Sequence, residues 1–452
     1  MKKHIFFSSL VALTLSSNVV AQDFDTNPVV KYENKEQKVK FTVGARFMAD
    51  AAYYHTDFTP MKSGAAITDA RIRTSMTYDD WYFYADFDFS KGKFSQKNIF
   101  LQYTLKDNEF GNHSLKAGYY NDPSTMANNT SRGSLHFISR AASSNALSAG
   151  RQLGISYKFF NDTFFFNQGV FAENKYNDQI DGYQGVTFGG RWLYRPVNTE
   201  DNTFHLGATF RYARINTGEE SDNVLQTKYN LGSSVQTYVD PFEFTGAEIP
   251  WAKNTFDVGA EALYRNNKFF ARGEYMYKHI TKDRDDMTLF TNQLGGSQSW
   301  TTLESWQTAN PLSSNNFHGG YVELGYQVFG NGYKYDSAEG LLKGWDGHSL
   351  EFVARYNYLG LNDIVDGEVY LPGRDQYYPN DATNPGANIK DYPAKSTSIG
   401  GGNMHSVTLG ANYSFNKYAQ VLLEYTWNRL DRDKYQYDKN IHTVQARLLF
   451  SF

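Results

Sequence analysis

The chain has 452 residues, no cysteine, 44 Lys and Arg against 48 Asp and Glu, and 17% aromatic side chains. The missing cysteines exclude thiol catalysis, cysteine-bound metals and disulfide staples. Beyond Leu15 no apolar run approaches the roughly 20 residues that a membrane helix needs, so a helical membrane protein is excluded.

Lys2-Lys3-His4, the apolar run from Ile5 to Leu15 and Val19-Val20-Ala21 predict a secretory signal peptide over residues 1–21. Gln22 stands where a lipoprotein would need cysteine, and losing Lys2 and Lys3 makes the mature chain more acidic by two charges. Residues 22–38 are polar, hold no heptad and read as a flexible periplasmic arm. A first strand begins near Val39 and runs to about Tyr54. Phe41, Val43, Ala45, Phe47, Ala49, Ala51 and Tyr53 share one face; Lys40, Thr42, Gly44, Arg46 and Asp50 share the other.

Alternation resumes over Thr68–Thr77 and Trp81–Ser90, then Asn98–Leu105, Leu115–Tyr120, Gln152–Phe159, Thr163–Phe171, Val186–Arg195 and Phe204–Arg211. It continues over Phe256–Arg265, Lys268–His279, Tyr321–Val328, Leu350–Tyr358, Val407–Phe415 and Ala419–Asn428. It ends on His442–Phe452, a strictly alternating strand that stops on an aromatic at the carboxyl terminus. About sixteen strands, an even number, predict an all-β, transmembrane antiparallel β-barrel over residues 39–452 in a Gram-negative outer membrane. A mean hydropathy of −0.58 fits a barrel with a polar lumen and wet loops as well as it fits a soluble protein. The 34 Tyr and 34 Phe recur at strand ends, where amphipathic rings suit the headgroup region, and favour the barrel.

The connections alternate in length, as such barrels require. Tyr78–Asp80, Asp107–Gly111, Phe160–Asp162, Asn266–Asn267 and Asn416–Lys417 are tight; Asn121–Arg151, Asn216–Pro250, Thr281–Phe317 and Gly360–Asn403 are long. Gly330–Gly347 is a long connection on the short side, and some early long-side loops are brief. No plug-sized segment precedes the first strand, so the expected lumen is water-filled. Inward positions carry Arg46, Arg71, Arg73, Arg191, Arg211, Arg272, Arg355 and Arg447 beside Asp50, Asp86, Asp88, Glu261, Glu274, Glu351 and Glu424. These either line a path for anions or pair across strands and stiffen the wall. The loop from Asn121 to Arg151, with Arg132, His136 and Arg140 among small polar residues, is the expected constriction folded into the lumen; the bland alternative is an external loop with solvated charges.

Several stretches carry a resemblance: Gly44-Ala45-Arg46 with Asp50, Asp69-Ala70-Arg71-Ile72, Leu115-Lys116-Ala117-Gly118 leading to Pro123, Thr130 through Arg140, and Gly150-Arg151-Gln152-Leu153-Gly154. In this order, over about the first third of the chain, they resemble the phosphate-selective porin O and P family of outer-membrane channels. The resemblance implies a trimeric sixteen-stranded porin whose third loop enters the lumen, with arginines and hydroxyls that conduct and bind anions. It points to Arg71 on the second strand and to Ser131 and Arg140 on the loop, with Arg132 displaced from the family's basic position, where this chain has Gly133. With Arg46 and Arg73 these form the candidate pore-lining and anion-binding set. One departure matters: Thr68-Asp69 stands where family members commonly carry two arginines, which weakens anion affinity.

The expected function is passive diffusion of small hydrophilic solutes, favouring anions such as phosphate, by a protein embedded in the lipid bilayer. An oligosaccharide channel using Trp300, Trp306 and Trp345 as a stacking track is the alternative; a barrel enzyme is a further one, with no Ser, His and Asp order to support it. Gly400-Gly401-Gly402 is followed by no helix that could hold a phosphate, and the Asp283, Asp285, Asp286 spacing matches no calcium loop. No cofactor, metal or nucleic-acid partner is indicated.

Overall fold

The protein is described from a computed structural model covering residues 30–57, 60–172, 182–183, 185–215, 217–218, 229–249, 252–282, 314–363, 370–372, 398–431 and 439–452. The expected signal peptide lies outside these residues. Sixteen strands alternate side chains between two faces: β1 (Val39–His55), β2 (Gly64–Tyr78), β3 (Trp81–Asp88), β4 (Ser95–Asn108), β5 (Gly111–Asn121), β6 (Arg151–Phe160), β7 (Phe164–Ala172) and β8 (Val186–Asn198). The second half comprises β9 (Asn202–Arg214), β10 (Ala252–Asn266), β11 (Phe269–Lys282), β12 (Asn315–Phe329), β13 (Ser349–Asp363), β14 (Ser398–Ser414), β15 (Ala419–Asp431) and β16 (Asn440–Ser451).

Each strand pairs antiparallel with its chain neighbours, and β16 returns to β1 in a register running from Arg46↔Ser451 to His55↔His442. The last residue completes the seam: Ala45 N donates to Phe452 O at 2.6 Å and Phe452 N to Ala45 O at 2.9 Å. The terminal alternation therefore closes the cylinder, leaving no lipid-facing edge among the described barrel strands, as a bilayer core requires.

Polarity is arranged inside out, as a lipid-facing barrel demands. Phe47, Ile72, Leu101, Ile155, Val170, Phe188, Leu206, Val258, Val322, Phe352, Leu409, Leu423 and Val444 are exposed on the outer face, whereas Arg46, Arg71, Asp86, Arg191, Glu261, Arg355 and Arg447 are buried in the lumen. The strands run longer than the apolar alternation alone indicates. β5, expected over Leu115–Tyr120, begins at Gly111, because ladder pairing with Asn112, His113 and Ser114 continues after the apolar pattern has ended.

Part of the segment expected to be a flexible arm is a strand. Val30–Asn34 pairs with Val39–Val43, next to the β1–β16 seam, which reaches Phe452 opposite Ala45.

The interior is not a uniform tube. A hairpin from the β9–β10 loop, Tyr229–Ser234 with Glu243–Ile249, packs Leu231, Val235, Phe244, Ala247 and Ile249 against Ala142, Ala146 and Leu147 of the 122–150 loop. Inward apolar residues near the long-loop rim, among them Met276, Ile280, Phe317, Leu359 and Met404, join this cluster. The apolar mass fills the β11–β16 side, and the aqueous space is left along β1–β6.

Candidate functional site

Wall carboxylates hold the 122–150 loop inside the barrel. The loop contains α1 (Met126–Asn129), a 3-10 turn (Arg132–Ser134) and α2 (Ala142–Leu147). Glu274 on β11 accepts the first two amides of α1, from Met126 N at 2.5 Å and Ala127 N at 2.8 Å, where a carboxylate meets otherwise unpaired donors. Glu424 on β15 accepts from Ile138 N at 2.5 Å, and Asn357 on β13 accepts from Ser143 N at 2.9 Å. Arg355 donates to Ser139 O at 2.7 Å. This corrects the external-loop alternative: residues Gly133 to Ser139 are buried.

His136 does not face the aqueous space. Its Nδ1 lies 3.0 Å from Glu351 Oε1, with Phe270, Tyr333 and Trp345 around the ring, so it anchors the loop. Trp345, proposed for a sugar track, donates its indole N–H to the same carboxylate at 3.1 Å and belongs to this anchor. Trp300 and Trp306 lie outside the described residues, as do Asp283, Asp285 and Asp286.

All six candidate residues, Arg46, Arg71, Arg73, Ser131, Arg132 and Arg140, line one chamber of about 160 Å³ between the loop and the β1–β6 wall. Arg46 grips Asp69 with two hydrogen bonds, 3.0 Å from Nε and 2.9 Å from Nη2, and donates from Nη1 to Ser131 Oγ at 2.9 Å. Arg71 lies between two carboxylates, Nε 3.0 Å from Asp69 and Nη1 2.8 Å from Asp86. Arg73 points to the barrel seam and donates to Ala45 O and Ser451 Oγ. Arg132 donates to Thr68 O at 2.9 Å, lies 3.6 Å from Asp69 and stacks 3.9 Å over the Tyr238 ring. Among the described residues, Arg140 bonds to loop carbonyls, those of Ala127, Asn128 and Thr130.

Gly133, where the family pattern has a basic residue, has a local reason. A Cβ there would lie 3.1 Å from Arg46 Nη1, so the Arg46 guanidinium occupies the space that a side chain would need.

The charges act on one another. Burial pulls the Arg132 guanidinium down to about 10, with Arg447 and Arg46 repelling it against the pull of Tyr238 and Asp69, and it stays charged at neutral pH. Burial alone would push the Tyr238 phenol up, yet Arg132, Arg140 and Arg447 hold it below the usual tyrosine range. A phenol lowered despite burial reports a local excess of positive charge.

The sequence reading did not place Lys116, Arg151, Tyr238 or the 330–347 connection in the site. Lys116 and Arg151 also line the chamber; strand parity would have found both, since Lys116 alternates with outward Leu115 and Ala117, and Arg151 lies opposite Asn121. The long connection on the short side folds inward. Arg191 donates to Glu339 O and Gly340 O at 2.7 Å, Arg265 to Tyr333 O at 2.8 Å, and Lys158 pairs with Glu339 at 2.5 Å. Leu341 and Leu342 pack with Met126 and Ala127, so this segment supports the loop from below and contributes Asp336, Glu339 and Lys343 to the chamber.

Other wall arginines pair across the lumen surface as the bland reading expected: Arg447 with Asp50, Arg191 with Glu261, and Arg272 with Glu323. An inward aromatic strip, Tyr82, Tyr84, Phe100, Tyr120 and Phe171, was not anticipated. Tyr84, Phe100 and Tyr120 of this strip line the chamber, and Lys116 Nζ lies 4.7 Å over the Phe100 ring.

Residues 41–452 match the family model described as phosphate-selective porin O and P. Outer membrane porin C of Enterobacter cloacae subsp. cloacae is 23% identical over 325 residues, 64% of this chain and 86% of that protein. Among solved structures, an anion-selective porin from Comamonas acidovorans is similar at a TM-score of 0.51 and 11% identity, covering 92% of this chain and 100% of that one. The trimer form of OmpT from Vibrio cholerae is similar at 0.51 and 10%, covering 92% and 99%. At such identities the structures share the fold.

Proposed function

We propose that this chain, which belongs to the phosphate-selective porin O and P family, carries small anions in preference to cations. It is an outer-membrane porin, and small hydrophilic solutes diffuse passively through its aqueous lumen. The observation that carries the preference is the charge of the chamber: eight cationic side chains line it against three carboxylates, Asp86, Asp336 and Glu339, and buried Asp69 makes four. A narrow passage with low-dielectric walls focuses that excess and raises the local anion concentration. Toward the short-turn rim, a vestibule of about 750 Å³ continues the bias with Lys31, Lys40, Arg265, Lys334, Lys343 and Lys417 against Asp162, Glu200 and Asp346.

The reading includes assembly as a homotrimer, supported by the similar fold of the trimeric Vibrio protein. It involves no covalent step and no cofactor. Arg46, Arg71, Arg73, Ser131, Arg132 and Arg140 are proposed to set the potential that small inorganic anions meet. Ion replacement in a planar bilayer tests it. Exchanging chloride for gluconate should cut the single-channel conductance by roughly half or more, while exchanging potassium for Tris should change it far less. The opposite pattern would refute the reading.

A further inference from the structure

Three hairpins repeat one contact on the outer face at the long-loop rim. Tyr275 Oη lies 3.2 Å from His318 Nδ1 across β11–β12, Tyr356 Oη 2.8 Å from His405 Nδ1 across β13–β14, and Tyr425 Oη 2.8 Å from His442 Nδ1 across β15–β16. In each, the histidine stands two residues nearer the rim than the residue opposite the tyrosine, which is Gly320, Val407 or Val444. The same diagonal joins Tyr212 to Asn254, Tyr277 to Asn316 and the Trp427 indole N–H to Asn440. Rings whose polar atoms are satisfied toward the rim form an interfacial belt. Matching pairs at the short-turn rim, His113 with Tyr157 at 2.6 Å and His348 with Tyr413 at 2.9 Å, mark the other edge of the apolar band. The outward rows between them lie in lipid.

Where the barrel closes, the belt stands directly over a depression. The register aligns Val407, Trp427, His442 and His55 in one row across β14, β15, β16 and β1, with His405 and Arg429 opposite each other one step nearer the rim. One step into the bilayer are Leu409, Tyr425, Val444 and Tyr53, and the next row is Ala411, Leu423, Ala446 and Ala51. These two rows line a groove of about 720 Å³. Leu409, Leu423 and Val444 are each 55% exposed, so no described segment of the chain covers it.

We propose that this sector seats a phosphorylated lipid of the outer leaflet, with an acyl chain in the groove and the phosphate at His442, His55 and Arg429. An apolar groove continuous with a row of donors presents its chemistry in the order that a lipid presents chain and headgroup, and the long-loop rim of such a barrel faces outward. A tyrosine hydroxyl that donates to Nδ1 leaves the ring proton of His442 on Nε2, a donor for the headgroup. The His55 ring is 6.1 Å from that of His442, and exposed Arg429 adds a fixed charge with a fork of donors. Two acids lie beyond the histidine row: Asp431 ends β15, and Asp57 accepts from the amides of Lys439 and Asn440. A second barrel pressed against this face would take the Arg429 charge out of water, at a cost that a lipid phosphate offsets.

The test counts lipids on the full-length protein in detergent by native mass spectrometry, titrating dimyristoyl phosphatidic acid and, separately, dimyristoyl phosphatidylcholine. Wild type should hold phosphatidic acid at about tenfold lower concentration, the difference that a charge-assisted hydrogen bond makes. Inorganic phosphate at the same concentrations should not displace it, since the groove holds the chain. Arg429→Gln combined with His442→Gln should remove the difference between the lipids. Ala446→Trp, which fills the groove and leaves the headgroup donors in place, should weaken both lipids alike. Each variant should conduct like wild type in a planar bilayer, because the substitutions face away from the lumen. Equal retention of the two lipids by wild type, or phosphatidic acid held unchanged by the double variant, would overturn the inference. So would Ala446→Trp separating copies of the chain, which would mark the groove as their contact.

Discussion

Replacing Asp69 by Asn should convert the pore into one that phosphate blocks at least about tenfold more tightly, and should raise its preference for chloride over potassium. Asp69 neutralises Arg46 through two hydrogen bonds and also touches Arg71 and Arg132. Removing its charge leaves three lumenal guanidiniums with less compensation, which costs stability unless an anion replaces the carboxylate. A charge-assisted hydrogen bond is worth about 1.5–3 kcal/mol, hence the tenfold figure. The variant should accordingly resist heat better in phosphate than in a buffer of the same ionic strength without it. Block and heat resistance both unchanged would show that the cluster is sealed from the chamber.

The second large effect concerns the inward connection at the short-turn rim. Replacing residues 334–343 by a two-residue turn should raise single-channel conductance by roughly twofold and lower ion selectivity, because the aqueous passage widens below the loop. This segment carries Asp336, Glu339 and Lys343 into the chamber and packs Leu341 and Leu342 under α1. The guanidiniums of Arg191 and Arg195 lose their carbonyl partners in the segment, though Arg191 keeps Glu261 and the widened lumen hydrates both. Unchanged conductance would mean that the 122–150 loop alone sets the narrowest point.

Strand parity carried most of the fold into the sequence. Each of the sixteen expected strands lies within a described strand or overruns it by at most two residues at either end, because one face had to be apolar for lipid and the other polar for water, and this two-residue rhythm survives an unremarkable mean hydropathy. Arg46, Arg71 and Arg73 were legible as inward for the same reason. The loop residues Ser131, Arg132 and Arg140 came from a motif resemblance, since a loop has no rhythm to read.

What the sequence hid was mostly long-range. Nothing local announces that Glu274, Glu351 and Glu424, on three distant strands, hold the loop instead of pairing with neighbouring arginines. Nor does composition say that the 330–347 connection turns inward; its length on the wrong rim was the only sign. The motif resemblance at Gly150-Arg151-Gln152 says nothing of where the Arg151 charge lies, whereas strand parity places it in the lumen.

On the proposed function, the lumenal charge excess makes this an anion-favouring pore despite Asp69. The most direct measurement is the zero-current potential of the wild-type protein in a planar bilayer under a tenfold potassium chloride gradient at neutral pH. A potential of the sign set by chloride, shrinking as salt is raised and charges are screened, is the expected result. A potential of the sign set by potassium would refute the anion preference.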